Sequence, residues 1–213
     1  MRHRSVRIGL AVAAILASIA AGWYAVQTAR ETARLEAAAR TFDHDAQDVI
    51  VETAALKAGQ RAYVAPGQGE DFWTQYVART LESIRGGLAT LERTAASPDA
   101  VASLKPAETF ADQLADMDAR VRKGLQIGDM LAASDTIFSE GEQAAANLAR
   151  QVDVARNQEL ARSDQLVTSD RRRQALAVGG AALAGLVVLS LLAFGDVVRR
   201  AGDRSEEPRL MLA

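Results

Sequence analysis

Four stretches in the middle of the chain place apolar residues at alternating steps of three and four, and two blocks near the ends carry no charge at all. Steps of three and four hold a row of side chains on one face of a helix that turns once every 3.6 residues. The first row runs Leu35, Ala38, Phe42, Ala46, Val49, Thr53, Leu56, Gln60 and Tyr63. The second is Val77, Leu81, Ile84, Leu88 and Leu91, and the third Phe110, Leu114, Met117 and Val121. The fourth is Leu131, Phe138, Ala145, Leu148, Val152 and Ala155. Four such seams close around one core, which predicts an antiparallel four-helix bundle and an all-α fold.

Residues that break helices fall between the seams. Pro66, Gly67 and Gly69 predict a first turn. Ser97 followed by Pro98 and Asp99 reads as an N-cap, a proline at the first helical position and an acidic first turn. Gly128 before Asp129 joins a helix stop to a new cap, and Pro106 predicts a kink or restart within the third helix.

The terminal blocks change the picture from a bundle to an anchored one. Ile8 to Val26 holds nineteen uncharged residues between Arg2, Arg4 and Arg7 on one side and Trp23 with Tyr24 on the other. Ala175 to Phe194 holds twenty, bounded by Arg171 to Arg173 and by Asp196, Arg199 and Arg200. At about 1.5 Å per residue, either is long enough for a hydrocarbon core of about 30 Å. The expectation is therefore two transmembrane helices, continuous with the first and last bundle helices. Residues 1–7 form a cytoplasmic start, 8–26 and 175–194 the spans, 27–174 a periplasmic bundle and 195–213 a short cytoplasmic tail. Weighing the short basic ends above the long middle places both termini in the cytoplasm of a bacterium, with the lipid bilayer as a partner.

Composition excludes several classes of chemistry. The 213 residues include no cysteine and only two histidines, His3 and His44, with a formal net charge of -2. No disulfide framework or thiolate metal site can form, and a Ser-His-Asp group is hard to assemble. His44 and Asp48 share a helix face, an arrangement that a solvated surface explains. No sustained basic stretch exists to neutralise a phosphate backbone, so nucleic acid is not an expected partner. Gly67, Gln68 and Gly69 lack the lysine and preceding strand of a phosphate loop. Neither a cofactor nor a catalytic residue is predicted.

From Val49 to Tyr76 the sequence VIVETAALKAGQRAYVAPGQGEDFWTQY resembles the third type of CHASE sensor domain, a four-helix bundle of bacterial signalling receptors. Gly59, Gln60, Arg61 and Tyr63 match the end of that family's first helix, and Tyr76 its tyrosine-bearing second helix. Ala62 stands where the family has glycine, and Lys57 and Ala58 where it has an acidic residue. Gly128, Asp129, Ala132, Ala133 and Gly141 look like its entry into the fourth helix. The four-helix sensor bundle of methyl-accepting chemotaxis receptors is related in topology. What the resemblance implies is a non-catalytic sensory or regulatory module, with Gln60, Arg61, Tyr63 and Tyr76 as ligand or switch residues. The nineteen residues after Phe194 are too few for an output domain, so the expected partner is a separate signalling protein, with a homodimer also allowed. The alternative is a structural or scaffolding protein, or a receptor remnant.

Overall fold

The computed structural model describes residues 2–64 and 70–203; the side chains of 2–11, 13, 14, 63, 70, 177, 178, 181, 184, 188, 189 and 191–203 lie outside that description. The expected turn at Pro66, Gly67 and Gly69, and the end of the tail from 204, fall outside it too. The described chain is almost wholly helical, with α1 Arg2–Tyr63, α2 Glu70–Thr94, α3 Pro98–Gln126, α4 Met130–Thr136 and α5 Glu142–Asp203. A single wide turn of π-helix, Ile137–Gly141, joins α4 to α5. By its contacts the chain divides into two units, residues 34–166 and residues 1–33 with 167–213.

Residues 34–166 form the bundle. Along α1, Phe42, Ala46, Val49, Thr53, Leu56 and Gln60 are buried, as is the whole α2 row from Val77 to Leu91. Polar bridges fix the neighbours and their directions. Glu52 accepts from Ser83 while Gly59 lies against Tyr76, so α1 and α2 run antiparallel. Asp43 pairs with Arg156 and Lys57 with Glu142, which sets α5 antiparallel to α1. Ser103 donates to Gln158 and Arg120 to Glu140, which sets α5 antiparallel to α3. Arg85 and Asp112 tie α2 to α3, completing the ring.

The caps follow local chemistry. Ser97 is extended at φ -81°, ψ 123°, and its hydroxyl accepts from the Ala100 amide, with Pro98 at the first helical position. At the other end of α3, Gly128 takes φ 81°. The Asp129 amide reaches the Gly124 carbonyl and the Gly128 amide that of Leu125, the paired bonds of a Schellman stop. The Asp129 carboxylate then caps α4 by accepting from the Ala132 amide. Pro106 neither ends nor restarts α3: it is exposed, so the carbonyl that loses its amide partner can turn to water.

At the start of the α1 row the expected Ala38 is exposed and Leu35 only half-buried, and Ala39 takes the buried place. The fourth row departs further. Leu131 is 84% exposed and Phe138 55%, whereas Ala133, Ile137 and Gly141 face the core. The sequence row steps by seven through Leu131, Phe138 and Ala145; the observed row steps by four through 133, 137, 141 and 145. Successive fours drift about 40° each on an α-helix, and the wide π turn takes that drift back.

Nor does the expected anchoring in a membrane stand. Among the described residues no helix is long and apolar enough to cross one. The two transmembrane helices, the inner-membrane location, the cytoplasmic termini and the periplasmic bundle all rested on that step and fall with it. The expectation counted missing charges, whereas transfer is driven by apolar area.

Candidate functional site

Where α1, α3 and the π turn meet, the core stops being purely apolar. The seam position after Leu56 on α1 is Gln60, which is 1% exposed. Its Nε2 has no hydrogen-bond partner among the described residues. Opposite stand Gly141 and Met117: a Cβ added to Gly141 would lie 2.8 Å from the Met117 sulfur and 3.7 Å from Gln60 Oε1. A glycine at 141 thus lets the π turn come close enough for the Met117 thioether and the Gln60 amide to pack against its backbone. A buried amide that lacks a partner loses its hydration without recovering a bond, which costs about 1–3 kcal/mol.

The other predicted site residues lie around this layer without forming one cluster. Arg61 is on the outer face of α1 and donates to Glu142 at the start of α5, a carboxylate that Lys57 also reaches at 2.8 Å. Arg61 and Glu142 are both well over a quarter exposed, so this is a brace between α1 and α5 worth about 0.2–1 kcal/mol. Tyr76 is half-buried on α2, edge-on to Trp73 with ring centroids 5.6 Å apart, and its ring borders Gly59. The side chain of Tyr63 lies outside the described residues. His44 and Asp48 are an exposed pair 3.6 Å apart. Among the described residues no group of three or more histidine, aspartate or glutamate side chains is placed to hold a metal ion.

A groove of about 440 Å³ opens between α3 and the start of α5. Phe110, Gln113, Asp116, Met117 and Arg120 form one wall, each three or four residues from the next except the adjacent pair 116–117. Glu140, Gln143, Ala144 and Asn147 form the other, with an ion pair between Arg120 and Glu140 across it. Met117 therefore has the groove on one side and the Gly141–Gln60 layer on the other.

Two buried carboxylates escaped the sequence reading. Asp118 is fully buried on α3 and meets Arg122 one turn on at 3.0 Å, an ion-pair contact more than an aligned hydrogen bond. Glu159 is buried on α5 and accepts from the amides of Ala96 and Ser97 at 3.1 and 2.7 Å. Glu159 had left a trace: it continues the apolar row Val152, Ala155 by four, and a charge at a seam position needs a partner.

Set beside protein-family models, curated proteins and solved structures, the chain matches none of them. Among the described residues no nucleophile, base and orienting group converge in the layer or the groove. What the arrangement offers is a polar layer inside an apolar bundle, joined by one flexible thioether to an open groove.

Proposed function

We propose that residues 34–166 are a non-catalytic sensory or regulatory module that acts by a change in helix packing and is read by a separate protein. The observation that carries this is Gln60: a buried amide whose Nε2 has no partner among the described residues, facing a wide turn at Gly141. Such a layer stabilises its own arrangement weakly, so a modest contact energy from outside is enough to favour another. The likeness of Gly59, Gln60, Arg61 and Tyr63 to a CHASE-type sensor motif supports the same reading.

Replacing Gln60 by leucine tests it, because a branched apolar side chain removes the unmet bond. Gln60→Leu should stabilise the full chain by about 1–3 kcal/mol in urea unfolding. It should also slow amide exchange in residues 54–63 and 137–144. A variant that is less stable and exchanges faster would mean that the amide is needed for packing, and the reading would fall.

A second reading, a scaffolding module, is favoured by one feature. Ile127, Met130, Leu131 and Phe138 are large apolar side chains exposed together around α4. Clusters of this kind mark contact surfaces. Sedimentation of the full chain and of Leu131→Glu at several concentrations separates the readings: scaffolding requires an assembly that the substitution disperses.

A further inference from the structure

The groove between α3 and α5 has a charge balance that points to a ligand class. Its two opposed ions, Arg120 and Glu140, are already joined to each other. Asp116 stands in no ion pair among the described residues, so it is the uncompensated charge of the groove. Phe110, half-buried, contributes an aromatic ring to the same lining, and Gln113, Gln143 and Asn147 add carboxamides. A carboxylate, an aromatic face and amide acceptors are together what a small ammonium needs for charge, quadrupole and hydrogen bonding.

We propose that this groove binds a small organic cation, an alkylammonium or short polyamine, with its ammonium on Asp116 and its methylenes along Phe110 and Met117. Met117 is the link inward. Its sulfur already packs against the Gly141 backbone, where a Cβ would be only 2.8 Å away, so a ligand that moves the thioether moves the Gln60 layer. The inference rests on the sensory reading for this response, though not for the binding itself.

Titration calorimetry of putrescine into the full chain tests the site, with succinate as an anion of similar length. Putrescine should bind saturably at one site per chain and succinate should not. Asp116→Asn, an exposed and nearly isosteric change, should weaken putrescine by about tenfold or more, since a charge-assisted bond is worth at least one such factor. Absence of saturable binding, equal binding of succinate, or unchanged affinity in Asp116→Asn would each overturn the proposal. The response is read separately by Trp73 fluorescence in a Trp23→Phe background, as Trp73 meets edge-on the Tyr76 ring that borders Gly59. Binding without a change in Trp73 would leave the cation site standing and remove the sensory reading. No binding, with exchange still slowed in Gln60→Leu, would do the reverse.

Discussion

Gly86 and Gly87 sit side by side in α2 with opposite surroundings. A Cβ at Gly86 would meet nothing within 4 Å, whereas one at Gly87 would come 2.5 Å from Val49 Cγ2. Val49 is buried in the core and has little room to retreat. Gly86→Ala should therefore stabilise the chain by about 0.5–1 kcal/mol, the gain of alanine over glycine in a helix. Gly87→Ala should destabilise it by about 1–3 kcal/mol despite the same gain in propensity, because the methyl overpacks the α1–α2 contact. Thermal unfolding of the two variants checks this: shifts of the same sign would mean that α1 and α2 do not approach closely at Val49.

At the scale of elements, the short connection between α2 and α3 is held from α5. Glu159 accepts from the amides of Ala96 and Ser97, and Arg162 donates to the Ala96 carbonyl, so this turn is latched on both its donors and its acceptor. Glu159→Ala would leave two amides without an acceptor and should cost about 1–3 kcal/mol, while Glu159→Gln keeps an oxygen in place and should cost less. Urea unfolding gives the ranking, and exchange of the Ala96 and Ser97 amides gives the location. Wild-type exchange rates at these two amides in Glu159→Ala would show that the latch does not hold the turn.

For the whole molecule, the face shared by α2 and α3 makes stability depend on pH. Burial pushes the Glu108 carboxyl above its ordinary value of 4.5, and Glu92 and Asp112 add repulsion that Lys105 only partly offsets. A carboxyl whose folded pKa is raised favours folding when protonated. That contribution is complete below about pH 4.5 and is lost as pH rises through the raised folded value. Glu108→Gln should match the wild type near pH 4 and exceed it in stability at pH 7. Urea midpoints measured across that range would contradict this if the variant were no more stable at neutral pH. On the opposite side of the bundle, the hydrogen bond to Asp43 holds the Arg156 guanidinium pKa above its ordinary value, so Arg156 itself stays charged across the same range.

Seams of period near 3.6, caps and charge determined much about this chain by themselves. They mark the buried row of α1 from Phe42 to Gln60 and that of α2, the Ser97 and Asp129 caps and the Gly128 stop, because each depends on a residue and its near neighbours in sequence. They also place Gln60 on the α1 seam. Tertiary structure decided the rest. The π turn moved Leu131 and Phe138 to the surface and brought Ile137 and Gly141 inward, since one widened turn rephases everything before it. Ala100, Ala107 and Ala111 became core through the approach of neighbouring helices, which no alanine announces in a chain so rich in them. The uncharged terminal blocks met the length of a membrane span, yet among the described residues no helix is long and apolar enough to cross one. Gly86 and Gly87 are indistinguishable as letters, and only the position of Val49 on another helix tells them apart. Local preferences act through the chain, whereas close approach, partnership and exposure are properties of residues far apart in it.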